Sequence, residues 1–239
     1  MFNPLTQARQ SLIWWLPAAG IAAALKWHFS AAGSWSLNWM LQPLSMSLHA
    51  FTGWDFLRTA DGDWESRAAG IVLVKACAGI NFMTMSFIAW CLVLQPGLLR
   101  SPLLVHRERL LRECAWRLAA ALLLAWLSAL AVNTLRVIAV VHWQPQLQQW
   151  LAPESAHRLI GIVIYLGALT LQLLPGEGRR WSRAAMHGAL IYGAVMLILP
   201  MLSGNAVASP GQYVEHALAV LIVMVPLLAA ALLSRYGTR

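Results

Sequence analysis

Apolar runs about the length of a membrane-crossing helix recur along this chain. An α-helix needs roughly 20 such residues to cross the ~30 Å hydrocarbon core of a bilayer. Six segments qualify, at about 11–29, 70–94, 116–141, 158–174, 185–202 and 214–233. They predict an all-α fold: one polytopic transmembrane helical bundle of about six spans, with residues 1–239 forming a single integral membrane domain. Composition agrees, since 11% of the residues are charged and 59% hydrophobic, whereas soluble domains carry about 25% charged residues.

The segment 34–51 is less apolar and is interrupted by Asn38, Gln42, Pro43 and His49. It reads as an interfacial or re-entrant helix; the alternative, a seventh span, would flip the N-terminus. Residues 30–69 then form an extracytoplasmic cap rich in tryptophan (Trp35, Trp39, Trp54, Trp64). Those rings suit a substrate-facing surface, and equally an aromatic belt at the interface. The first apolar run has no small-x-small cleavage site after a short core, and Trp14, Trp15 and Lys26 read as interfacial anchors, so no cleavable signal peptide is expected.

Charge sets the orientation. One group of loops holds Arg9, Arg100, Arg107, Arg109, Arg112, Arg117, Arg179, Arg180, Arg183, Arg235 and Arg239, against Glu108, Glu113 and Glu177. The opposite face holds Lys26, Arg58, Arg67, Lys75, Arg136 and Arg158 against six acids. The net charge of +8 therefore lies entirely on one side, which the positive-inside rule assigns to the cytoplasm. Both termini are then cytoplasmic in a plasma or inner membrane. The basic excess is a topology signal, and no nucleic-acid partner is needed to explain it. Cys77, Cys91 and Cys114 give no disulfide framework.

With this topology, three reactive side chains from consecutive spans fall at the extracytoplasmic interface. Cys77 lies about seven residues into the second span, roughly 10 Å at the helical rise. A nearby cation, Lys75, and a position in the first two helical turns favour a reactive thiol. Ala76, Ala78 and Gly79 leave room for a close approach, and Asn81, four residues on, shares its helical face. Arg136 lies about five residues from the outer end of the third span. Asn133 shares its face, and a guanidinium can stabilise an oxyanion, a thiolate or a carboxylate. His157 opens the fourth span, and imidazole suits proton transfer to and from a thiol. Gly161, one turn later, lets another helix pack closely. Taken singly, each has a plain structural reading: a buried membrane cysteine, an arginine snorkelling to headgroups, a histidine at a helix start. His142 and His216 lie on the same side and compete for the base role. Together, a thiol, a guanidinium and an imidazole at one depth are the parts needed for acyl transfer through a thioester.

Other chemistries leave marks absent here. There is no G-x-S-x-G elbow, no H-E-x-x-H motif and no pair of intramembrane aspartates. Asp61-Gly62-Asp63, with Glu65 nearby, reads as a solvated turn rather than a metal site. No metal and no cofactor is expected.

The pattern Ala76-Cys77-Ala78-Gly79-Ile80, then Asn133-x-x-Arg136, then His157 with Gly161 following, resembles the exosortase/archaeosortase family of integral membrane cysteine transpeptidases and proteases. The order and the placement on spans both match, over roughly residues 70–175. The resemblance implies that Cys77 is the nucleophile, Arg136 the active-site arginine and His157 the general base and acid. It also implies substrates: exported proteins ending in a short motif, a transmembrane helix and a basic tail. Ala78 stands where many members carry serine, and the chain is shorter than the large exosortases. The run Gly79-Ile80-Asn81-Phe82 resembles the smaller K-type exosortases. The other partner expected is membrane lipid. The alternative class is a non-enzymatic transport or assembly protein that binds an anionic ligand at Arg136; haem ligation by His142, His157 or His216 is a further one.

Overall fold

The computed structural model describes residues 4–99, 107–178, 180–202, 207 and 209–236. Arg100, Arg179 and Arg239, part of the expected cytoplasmic charge, lie outside them. The chain is mostly helical. Helix α1 spans Pro4–Ala31, α2 Asn38–Thr52, α3 Ile80–Leu99, α4 Arg107–Leu147 and α5 Pro153–Leu173. Helix α6, Trp181–Gly193, runs through a π-helical segment, Ala194–Ile198, into α7, Leu199–Leu202; α8 spans Pro210–Tyr236. Five helical stretches are long and apolar enough to cross a membrane: Lys75–Gln95, Glu108–Leu147, Pro153–Leu173, Trp181–Met201 and Pro210–Ser234. The expected first span falls in α1, which is not among them; Pro17, Lys26, His28 and three tryptophans dilute its apolar character.

The expectation of an all-α chain is corrected within 57–73. Three short strands, β1 Leu57–Arg58, β2 Trp64–Ser66 and β3 Ile71–Leu73, form an antiparallel sheet in that order. Gly62 at φ 85° and Gly70 at φ 64° supply the left-handed residues that its two tight reversals need. Tryptophan fastens this sheet to the start of α2. The Trp35 ring lies so close to Gly62 that an added Cβ there would come within 2.8 Å of it. Its indole N–H donates to Ala60 O at 3.2 Å, and Arg58 stacks 3.8 Å from the ring centroid. Trp64 donates to Asn38 Oδ1 at 3.2 Å. Those two tryptophans hold the cap together by specific contacts.

Helix α2 matches the expected short element at 34–51. Its fifteen residues reach about 22 Å at 1.5 Å per residue, too short to cross. Met40, Leu41, Leu44 and Leu48 bury one face, and the helix packs on α4. Several span boundaries move, two of them beside the candidate site. The expected second span begins not at 70 but at Lys75, with a 3-10 turn, Lys75–Ala78, before the α-helix at Ile80, because residues 71–73 are a strand. The third runs on to Leu147, so Arg136 lies eleven residues before its helix end rather than five.

Helix α3 is the centre of the bundle, packing against α1, α4, α5 and α6. It is buried on more than one side: Phe82, Met85 and Ala89 share one face, while Phe87 and Cys91 line a trough against α1. Ala121, Ala125 and Ala129 are the buried alanines of α4, the helix it packs on most. The alanines at four-residue intervals let the two backbones approach closely. A polar knot crosses this interface: Gln172 Nε2 donates to Ser86 Oγ at 2.7 Å and Ser128 Oγ at 2.8 Å, and Trp90 Nε1 donates to Ser128 at 3.2 Å. Gln172→Leu removes both amide bonds. Interhelical bonds in membranes are worth about 0.6–1.7 kcal/mol each, so the variant is expected to lower stability by about 1–3 kcal/mol. Unfolding of the detergent-solubilised protein by denaturant measures this.

Candidate active site

Cys77 is not within an α-helix. It sits in the 3-10 turn Lys75–Ala78 that follows β3, its N–H bonded to Val74 O at 2.8 Å, and α3 begins three residues later. Gly79, at φ 69°, makes the break between turn and helix. Cys77 therefore lies at the start of the membrane-length stretch Lys75–Gln95, as expected, but in a 3-10 turn ahead of the α-helix rather than in that helix's first turns. The break also removes the Cys77–Asn81 pairing, since four-residue spacing means a shared face only along a continuous helix. Asn81 Oδ1 instead accepts from Lys26 Nζ of α1 at 2.5 Å.

The Gly79 position is fixed twice over. Besides its left-handed backbone, a Cβ there would overlap the Asn133 side-chain amide. Asn133 is 1% exposed, and its Nδ2 reaches Ala78 O at 3.5 Å while its Oδ1 accepts from Tyr165 Oη at 2.6 Å. The turn bearing Cys77 is thus tied to α4 and, through Tyr165, to α5. Gly79→Ala is expected to cost about 2–4 kcal/mol, combining αL strain with the displaced amide. A melting curve of the purified variant tests this, and loss of the Cys77 turn would follow as changed thiol alkylation rates.

Arg136 joins α4 to α5. One Nη donates to His157 Nε2 at 2.8 Å, the other to Tyr165 Oη at 3.2 Å. Arginine has donors only, so His157 Nε2 is the acceptor and the ring is neutral with its proton on Nδ1. Arg136 Nε is buried and has no partner among the described residues. Gly161 was expected to admit a neighbouring helix. It admits the arginine: a Cβ there would stand 3.0 Å from Arg136 Nε.

Tyr165 is the member that sequence reasoning missed. It is 7% exposed, bonded to both Arg136 and Asn133, and stacked on Phe82 with centroids 4.7 Å apart. The signal was present in α5, where His157, Gly161 and Tyr165 recur every fourth residue and so line one face.

The expected triad is therefore brought together in part. Arg136 and His157 are bonded, and Cys77 lies within electrostatic range of Arg136 and of Asp63. Among the described residues, no hydrogen bond links the thiol to His157. A cavity of about 370 Å³ lies beside the group, lined by Ala76 and Gly79 on either side of Cys77, by Arg136 and Tyr165, and by Lys26 and Lys75; Cys77 is not among its lining residues. The other two histidines stand apart. His142 Nδ1 bonds the Ile138 carbonyl of its own helix at 3.0 Å, and His216 lines a second cavity with Lys26 and Asn81. Asp61 and Asp63 flank the hairpin turn at Gly62, with Asp63 Oδ1 buried and without a partner among the described residues.

No family model, curated protein or solved structure matches this chain. The site is therefore read from its own chemistry.

Proposed function

We propose that the protein is a cysteine peptidase or transpeptidase working at the outer membrane interface, of the exosortase kind. It would cleave C-terminal sorting signals of exported proteins. In this reading α1 completes a six-span bundle, both termini are cytoplasmic, and Cys77, Arg136 and His157 face the extracytoplasmic side. The observation that carries the reading is the Arg136–His157 bond beside a cavity whose wall flanks Cys77.

The resting bond suggests how the step begins. Arg136 occupies the one His157 nitrogen able to accept a proton. When a substrate carbonyl arrives, the guanidinium turns to it and releases Nε2. His157 then takes the thiol proton, and the Cys77 sulfur attacks the carbonyl carbon. Arg136 stabilises the oxyanion. As the tetrahedral intermediate collapses, the C–N bond breaks and the imidazolium protonates the departing amine, which leaves with the membrane anchor. Water or an outside amine attacks the thioester, giving its proton to His157, and the thiol re-forms.

Asn133 and Tyr165 hold Arg136 and the Cys77 turn in one frame. The basic tail of a sorting signal would meet a cytoplasmic face that is itself basic, so it acts as a topological anchor. Co-expression with an exported protein ending in a motif, an apolar helix and a basic tail tests the proposal. Normal processing by a stably inserted Cys77→Ala variant would overturn it.

One observation favours the non-enzymatic alternative. The cavity is lined by three cationic residues, Lys26, Lys75 and Arg136, which suits a protein that holds an anionic ligand. The same Cys77→Ala experiment separates the two, because ligand binding at Arg136 needs no thiol.

A further inference from the structure

Three cavities converge on Lys26. The first, of about 370 Å³, is the one beside Arg136; its lining also includes Lys75 and Asn81 and, among the described residues, no acidic one. The second, about 280 Å³, shares Lys26, Asn81 and Met196 with it. The third, about 820 Å³, is an apolar trough between α1, α3 and the π-helical segment. Trp15, Ala19, Ala23, Phe87, Ile88 and Ala194 are among its walls, and Lys26 closes one end. A wide apolar channel thus ends at a lysine, and beyond that lysine lies a pocket carrying two further cations.

We infer that this composite site binds an anionic membrane phospholipid. The phosphate lies among Lys26, Lys75 and Arg136, and an acyl chain runs down the trough along α1. The chemistry matches at both ends: ammonium and guanidinium groups are phosphate ligands, and the trough beyond Lys26 is lined by apolar side chains that suit an acyl chain. The first and third cavities, which hold the proposed ligand, fall within the range of ordinary ligand sites, about 300–1,000 Å³.

Length decides against a transmembrane helix as the occupant. From Trp15 to Lys26 the trough follows eleven residues of α1, about 16 Å at the helical rise. That is about half of the ~30 Å hydrocarbon core, the depth of one leaflet, whereas a spanning helix needs all of it. The inference does not depend on whether Cys77 is a nucleophile.

Native mass spectrometry of the full chain, purified in detergent, tests it. Dioleoyl phosphatidylglycerol is expected to remain bound, and dioleoylglycerol and glycerol 3-phosphate to be lost, since each lacks one half of the ligand. Lys26→Gln is expected to weaken phosphatidylglycerol binding about tenfold. Lys75→Gln, at an exposed position where folding is not at stake, should weaken it about threefold. Ala23→Trp, also exposed, should block the trough and abolish retention with all three cations intact. Failure of the wild-type protein to retain phosphatidylglycerol overturns the inference. So does equal retention of dioleoylglycerol, equal binding of glycerol 3-phosphate, or an Ala23→Trp variant that binds as the wild type does. Retention of an alanine–leucine transmembrane peptide in place of the lipid would assign the trough to a helix and overturn it as well.

Discussion

Cys77→Ala is expected, on the proposed function, to abolish processing of a co-expressed exported substrate, a fall on the order of 10⁴-fold or more, since removing the proposed nucleophile removes the covalent route altogether. The uncleaved precursor should accumulate, retaining its transmembrane helix and basic tail. The fold should survive. Cys77 is only partly buried and sits in a turn held by backbone bonds and by Asn133, so losing one sulfur atom is expected to cost about 1 kcal/mol or less. Activity and stability are thus separable at this position. Cys77→Ser should be nearly as inactive: a hydroxyl is a much weaker nucleophile without an engaged base, and His157 Nε2 is held by Arg136 at rest. Immunoblotting for the precursor, with a melting curve of each variant, reads both quantities. Cys91→Ala and Cys114→Ala should process normally, since those thiols are buried along α3 and α4 away from the cavity.

The second large effect is expected at Arg136, and the informative substitution is the conservative one. Lysine keeps the charge but loses the planar fork. A single ammonium on a flexible stem does not reproduce two directed bonds from separate Nη atoms, one to His157 at 2.8 Å and one to Tyr165 at 3.2 Å. If Arg136 both parks the imidazole and later stabilises the oxyanion, Arg136→Lys should lower the processing rate by about 10²–10³-fold, the usual cost of losing an oxyanion donor. Arg136→Gln should be at least as severe. Initial rates in reconstituted vesicles measure this. A lysine variant within about threefold of wild type would show that only the charge matters and would remove the fork from the mechanism.

Parts of this site were legible in the residues. Asn133 and Arg136, three apart on an apolar helix, had to share a face, and both reach the same cluster. His157 and Gly161 likewise share one face of α5 and both meet Arg136. Other parts were hidden for identifiable reasons. The strands of the cap are two or three residues long, too short for an alternating pattern to stand out. The break at Gly79 was masked because residues 71–74 and 76–78 are as apolar as the helix that follows. Hydropathy does not distinguish a strand and a turn from the first turns of a span. Tyr165 was passed over because an aromatic ring on an apolar helix is ordinary; its hydroxyl matters only through the partners it meets.

The sequence alone determined that the chain is built of long apolar helices, roughly where they lie, and which polar residues each one carries. Those are one-dimensional properties, written in the length of apolar runs and the spacing of residues within them. Only the tertiary structure decided which of these polar groups meet. The Arg136–His157 bond, the Tyr165 bridge and the convergence of three cavities on Lys26 depend on the rotation of each helix about its axis and its register against its neighbours. Both are set by packing, by an alanine face here and a glycine gap there, and contacts between different helices fix them jointly.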